Sequence, residues 1–347
     1  MTVQSNALAF NTARVIRFAG SGTGLAILLA LAIAAPLVLY PIFLTTLLCF
    51  ALFACGFNLM FGFANMLSFG HAAFFGWAAY TTGYLLASAG WPTALGVLAG
   101  TVAGGAIGLV IGFIAIRREG IYFAMITLAL AQMMYFIADQ SAFTGGENGL
   151  QGVPRGTLLG LNLGNDLTLY YVVLAVFVLA YAAIARIVYS PFGQILAAIK
   201  ENEPRVRSLG YETRHFKLLM FVLSAAFAGL AGSMKCVVLG FATLTDVHWA
   251  TSGLALLMTL VGGMGTLIGP VIGAIIMITI DNYIGAAGHL LAGLTGLDVF
   301  NQLGRSATIV TGLIFILCVL ALRGGIMMNI QAFAERHSGK AKPSSQG

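Results

Sequence analysis

The sequence predicts an all-α polytopic bundle of about ten transmembrane helices, some broken or re-entrant, with a short helical segment held in water between two spans. Three observations predict it. The 347 residues are 59% hydrophobic and only 8% charged, against roughly 25% charged in soluble domains. Apolar runs of about 17–24 residues recur along the chain, the length a helix needs to cross a hydrocarbon core. Those runs lack the two-residue alternation of a barrel, the other structure that satisfies its backbone in lipid.

Taken in order, the apolar segments fall at 25–40, 43–63, 68–88, 94–116, 121–138, 168–187, 216–240, 250–264, 267–287 and 306–322. Basic residues orient them. Arg14 and Arg17, Arg117 and Arg118, the 186–217 cluster and the tail with Arg323, Arg336, Lys340 and Lys342 belong to the cytoplasmic side. The 139–167 loop sets Arg155 against Asp139, Glu147 and Asp166 and belongs outside. Ten crossings with both termini inside satisfy every assignment. The division is then a cytoplasmic segment 1–24, a membrane domain 25–323 containing a loop at 189–215, and a cytoplasmic tail 324–347. The first span is read as uncleaved, although Ala30 and Ala32 begin small-residue patterns like those of a cleavage site. Segments 68–88 and 250–264 are the weakest spans, one rich in small and polar residues and the other short, and both are candidates for half-helices.

The stretch Ser190–Lys217 holds eight of the 28 Lys, Arg, Asp and Glu residues in the chain. Each such charge costs about 2.5–3.5 kcal/mol at a bilayer midplane, so this stretch lies in water. It also has helix signals. Pro191 suits a first turn, Ile195, Leu196 and Ile199 share a face, and Lys200, Glu201 and Glu203 follow. Pro204 restarts or kinks the helix, and Gly210 ends it. An ordered helix with an apolar face and charged edges suits docking into a partner protein. The competing reading is a basic loop drawn to anionic lipid, which Glu201, Glu203 and Glu212 weaken.

Glycine marks the packing. Gly96, Gly100, Gly104, Gly108 and Gly112 recur every four residues, a spacing that lets helix backbones approach. The row drifts around the helix by about 40° per step, so it serves two neighbours, and a wall of a translocation path is the sharper alternative. Gly265, Gly269 and Gly273 repeat the pattern. Glycine-rich interruptions at 56–76 and 253–273 sit in separate halves, as at the midplane sites of transporters.

Few polar side chains fall inside spans: Asn58, Asn65, Ser68, His71, Gln132, Lys235, Asp281 and Asn282. With Gly262, Gly263 and Gly265 of the second interruption, Asn58, Asn65, Ser68 and His71 are the candidate path residues. For His71 the plainer reading is a hydrogen bond between helices. Lys235 and Asp281 are expected to snorkel to the interface. Cys49, Cys55, Cys236 and Cys318 all fall in apolar runs without ligand spacing and read as small buried hydrophobes. The sequence has no H-E-x-x-H, no G-x-S-x-G and no G-x-x-x-x-G-K-[ST]. No catalytic residue, metal site or cofactor is expected, and an ATP motor would have to be a separate chain. The +6 charge sits in topology-setting loops and does not point to nucleic acid.

Several blocks, in order, resemble a known family. They are GFNLMFGFANMLSFGHAAFFGWAAY (56–80), EGIYFAMITLALAQMMYF (119–136), TGGENGLQGVP (144–154), SPFGQILAAIKENEPRVRSLGY (190–211), FKLLMFVLSAAFAGLAGSM (216–234) and LVGGMGTLIGPVIGA (260–274). Together they resemble the M-type permease subunit of bacterial ABC importers for branched-chain amino acids. The resemblance implies a homologous H-type permease partner, two cytoplasmic ATPase subunits, a periplasmic substrate-binding protein and an inner-membrane location among lipid. It implies that Glu201 and Gly210 belong to the motif that sits in the ATPase cleft, and Pro191, Ile195, Ile199 and Glu203 are expected to share in that coupling. Thr144, Gly145, Gly146, Glu147 and Asn148 are then expected to meet the binding protein. Asn65 stands where that family's first block has glycine, which leaves the local backbone open. A urea or short-amide permease of the same architecture is the alternative substrate reading, and an ion-coupled secondary transporter is the alternative class.

Overall fold

The structure, a computed structural model, describes residues 32–37, 39–158 and 160–295, with Gly312. Most of the first expected span, the last span, and the segments 1–24 and 324–347 lie outside these residues. The other eight expected spans are all helices: α1 (Pro41–Ala64), α2 (His71–Ala87), α3 (Thr93–Ala115), α4 (Ile121–Gln140), α5 (Asp166–Val188), α7 (Thr213–Leu239), α9 (Trp249–Gly262) and α10 (Gly269–Thr295). The water-side helix is α6 (Pro191–Ser208), and a single turn, α8 (Leu244–Val247), precedes α9. Five of these helices, α1, α3, α4, α5 and α7, are long and apolar enough to cross a membrane.

The chain alternates between two ends. Arg117, Arg118, α6 and the start of α7 gather at a basic end, where Lys217 pairs with Glu119 and Lys200 reaches Gly62. At the opposite end Leu150 and Ala242 exchange backbone hydrogen bonds at 2.9 Å. There Arg155 joins Asp166 at 2.7 Å and donates to Val238 O. A two-stranded hairpin, β1 (Thr157–Leu158) with β2 (Leu161–Asn162), finishes this cap.

The glycine ladder of α3 lies against both α7 and α2. A Cβ on Gly104 would stand 2.9 Å from Gly229 Cα, and one on Gly108 would stand 2.3 Å from Ala225 Cβ. Towards the opposite end, Gly100 meets Thr82 of α2 as well as Ser233 of α7, and Gly96 faces Leu86 of α2. The row thus turns from one neighbour to the other, as its drift requires, and the dense-packing reading holds.

The two weak spans are short helices, one preceded by an irregular segment and the other by the single turn of α8. At a rise of ~1.5 Å per residue, the 17 residues of α2 and 14 of α9 give about 25 and 21 Å, short of a ~30 Å core. Residues 65–70 lead into α2 from the basic end, and residues 240–248 lead into α9 from the other. Backbone away from a helix at this depth must be satisfied by protein. Phe69 N donates to Thr127 Oγ1 at 3.2 Å, Gly70 N donates to Ser68 Oγ, and Ser252 Oγ donates to Phe69 O. The same Ser252 Oγ accepts from Ala72 N at 2.7 Å, so the first turns of the two short helices are tied by one hydroxyl.

Candidate functional site

The charged end is an ordered platform. Ser190 caps α6, its Oγ accepting from Gly193 N at 3.3 Å, and Pro191 occupies the first turn. The helix breaks at Asn202, whose φ of −157° and ψ of 88° leave the helical region. Asn202 Oδ1 accepts from Arg205 N at 3.1 Å and so caps the second piece, which Pro204 opens. Gly210 closes it at φ 90°, a left-handed conformation that glycine adopts without strain.

Glu203 is the hub. Its Oε1 accepts from Thr213 Oγ1 at 2.7 Å and Arg207 Nη2 at 2.9 Å, and its Oε2 accepts from Lys217 Nζ. Burial alone would raise this carboxyl, but the hydrogen bonds from Lys217 and Thr213 outweigh burial and hold it down at about 2. Lys200 Nζ donates to Gly62 O at 2.7 Å, and burial lowers its pKa. Above the platform, Asn65, Phe69, Glu119, Lys200, Glu203 and Lys217 help line a cavity of about 610 Å³ between the 65–70 break and α6.

One expectation about α6 is corrected. Its apolar stripe does not face outward. Leu196, Ile199 and Val206 are buried in a core with Phe221, Met220 and Ile184, and Ile195 is half-buried against it. The stripe fastens α6 to its own bundle, because α5 and α7 present apolar side chains just below. Among the residues left outward are Pro191, Glu201, Arg205, Leu209 and Gly210.

The candidate path residues divide into two groups. Asn58 Nδ2 donates to Thr266 O at 2.8 Å and its Oδ1 accepts from Gly265 N at 3.0 Å, clasping the turn after α9 onto α1. Gly262 and Gly263 belong to that turn. A Cβ on Gly262 would fall 1.8 Å from Gly269 O, and Gly263 has φ 120°. His71 and Ser68 lie at the 65–70 break, both fully buried. Ser224 gives its proton to Gly56 O at 2.6 Å, so His71 Nε2 is the donor in its 2.8 Å bond to Ser224 Oγ. Phe57, Phe74 and Phe221 enclose the imidazole. Asn65 is exposed at the basic end with φ 55° and ψ 35°, capping α1. It is the residue after glycine that best tolerates this left-handed cap, so the glycine conformation survives the change.

In the 139–167 loop Thr144 is buried, its Oγ1 within hydrogen-bonding reach of two carbonyls, Ser141 O at 2.8 Å and Ala138 O. Gly145, Glu147 and Asn148 are exposed and Gly146 half-exposed.

Lys235 departs from its expectation. It does not snorkel. Its ammonium pairs with Asp246 inside the bundle, with both side chains under a tenth exposed. Asp246, eleven positions on, falls between apolar runs and carries no sequence signal of its own. A lysine deep in an apolar run was nevertheless a signal that an acid must come to it.

A bundle of this kind, with broken helices inside and a stiff charged platform at one end, is the architecture of a transport permease. The chain belongs to the family described as "Branched-chain amino acid transport system / permease component", which matches residues 39–322. It is a multi-pass protein of the inner membrane. It is 30% identical to the high-affinity branched-chain amino acid transport system permease protein LivM of Escherichia coli (strain K12) over 260 residues, covering 67% of this chain and 61% of that one. The chain therefore spans less than two thirds of that relative's length. It is also 23% identical over 198 residues to a probable branched-chain amino acid transport permease protein LivM of Methanocaldococcus jannaschii, covering 54% and 56% of the two chains. The autoinducer 2 import system permease protein LsrC of Salmonella typhi is 28% identical over 191 residues, covering 50% and 52%. No solved structure gives a significant match.

Proposed function

We propose that this chain is the permease subunit of an ATP-driven importer that carries branched-chain or related small amino acids. In this reading α6 faces the cytoplasm and is gripped by a separate ATPase. A homologous permease completes the path, and an external binding protein delivers substrate to the loop around Glu147 and Asn148. The chain itself performs no covalent chemistry.

The observation that carries this reading is how α6 is attached. It is a kinked helix lying across the charged end, tied to α1 through Lys200 and Gly62 and to α7 through Glu203 and Lys217. Lys217 continues the tie to Glu119, beside α4. A force on its outward face would reach three spans. A loop that merely met lipid would need no such anchoring, and its Glu residues would oppose the contact.

Glu201→Arg tests it, because Glu201 is exposed and its replacement leaves the fold intact. The account expects the ATPase to be lost from the purified complex and uptake to fall with it. Unchanged association and uptake refute the docking role. The similarity to LsrC favours one second reading, a permease of this architecture for another small solute. Competition uptake with labelled leucine against urea and other small polar solutes separates the two.

A further inference from the structure

Asp246 caps α8 through Thr243, but the charge of Lys235 serves no purpose in the fold described so far. Lys235 stands in the last turns of α7, two residues beyond Ser233, which abuts Gly100 of α3. Lys235 lies four residues before the end of α7 at Leu239, so the pair is about 6 Å inside that end of the helix. Apolar side chains would fill this space as stably, since taking two charges out of water offsets most of their attraction. Ionisable groups at such depth mark sites on solute paths.

The surroundings are built for more than the pair. Lys235 Nζ lies 5.9 Å from the Phe75 ring centre and 5.8 Å from that of Phe241, two aromatic faces that hold a cation. Asp246 Oδ2 accepts from Thr243 N at 3.2 Å and Thr243 Oγ1 at 3.3 Å, which fixes the carboxylate while Oδ1 turns to Lys235. Gly76 admits this chain, because a Cβ there would meet Asp246 C at 2.9 Å and Val247 Cγ2 at 2.3 Å. Tyr80 stands one turn along the same face of α2. It is fully buried, and its hydroxyl has no hydrogen-bond partner. A buried hydroxyl without a partner is rare and costly, and it points to a ligand that completes it.

A neighbouring cation, anion and idle donor form the complement of a zwitterion. We propose that Lys235, Asp246 and Tyr80 are the intramembrane reception site for the α-carboxylate and α-ammonium of an amino-acid substrate. The carboxylate takes the Lys235 ammonium and the Tyr80 hydroxyl. The substrate ammonium takes Asp246 and the faces of Phe75 and Phe241. Without substrate the two charges neutralise each other and the site stays shut. The segment 240–248 is its lid, and Ala242 of that segment is hydrogen-bonded to Leu150 of the outer loop. The proposal rests on the amino-acid importer reading above.

The test uses the assembled importer in proteoliposomes, with the double variant Lys235→Met, Asp246→Leu and the single variant Tyr80→Phe. The double variant removes both charges together and leaves none stranded. The account expects it to assemble with the ATPase and hydrolyse ATP at the basal rate. It should take up leucine at least a hundredfold more slowly, and leucine should no longer raise its melting temperature. Tyr80→Phe should raise KM about tenfold, the size of one hydrogen bond to a charged group, with kcat little changed. A double variant that imports leucine within threefold of wild type overturns the site and leaves the importer reading standing. If the double variant fails to assemble, Tyr80→Phe decides, and an unchanged KM overturns the site. A wild-type importer that moves no amino acid overturns both.

Discussion

Lys200 and Gly62, 138 positions apart, are joined by a 2.7 Å hydrogen bond from the ammonium to the carbonyl of the last turn of α1. Gly62 also lies against Gly265 and Asn58, since a Cβ there would stand 2.5 Å from Gly265 N and 2.2 Å from Asn58 Oδ1. A displacement of α6 is therefore passed to α1 and to the turn between α9 and α10 through one contact. Lys200→Met should leave the ATPase bound but waste its work. The expected result is near-normal ATP hydrolysis with about a fivefold to tenfold drop in leucine imported per ATP, the range for loss of one charge-assisted bond. The ratio of the two rates in proteoliposomes measures it.

Glu203 sets an acid limit on the platform. Its carboxyl is held down at about 2 in the fold and would titrate near 4.3 in an unfolded chain. A depressed carboxylate contributes stability above its unfolded pKa and loses it as pH falls through the folded one. Glu203→Gln should therefore melt below wild type at neutral pH. The gap should narrow only between about pH 4.3 and 2. Melting curves of the two proteins in detergent across that range check this.

The packing of α3 makes a sharper claim on stability. At Gly100 a methyl group would fall 2.2 Å from Thr82 Oγ1, 2.3 Å from Ser233 Oγ and 2.6 Å from Ala78 O. Gly100→Ala should cost about 1–3 kcal/mol by overpacking. Gly253→Ala, where nothing lies within 4 Å of the added carbon, should stabilise by up to about 1 kcal/mol through helix propensity. Thermal unfolding of both variants in one detergent gives the comparison.

Asn65 offers a backbone test. Its φ of 55° strains any residue with a branched Cβ. Asn65→Gly should be near neutral, and Asn65→Val should cost about 1–2 kcal/mol. The same melting measurement reads both.

Much of this was legible in the sequence for a physical reason. Helices in lipid announce themselves by length and composition, so eight spans could be placed from apolar runs alone. The Gly96–Gly112 ladder gave two neighbours because its drift is fixed by helix geometry. The kink at Pro204 and the end at Gly210 followed from residues with few conformational choices. What stayed hidden depended on side chains meeting across the bundle. Ile195 and Ile199 show an apolar face in the sequence, but only the fold decides whether a partner or the chain's own core covers it. Lys235 looked like a snorkelling side chain because the re-entry of residues 240–248, which brings Asp246 back to it, leaves no mark in periodicity. Thr144 looked like loop surface, and its inward turn comes from two carbonyls that its hydroxyl reaches.

Uptake of labelled leucine into sealed proteoliposomes tests the central claim most directly, with the chain reconstituted alone and with its permease partner, ATPase pair and binding protein. The account predicts accumulation by the full assembly with ATP inside the compartment that holds the ATPase, and none without ATP or by the single chain under any ion gradient. Leucine accumulation by the chain alone, driven by a proton or sodium gradient, would contradict it.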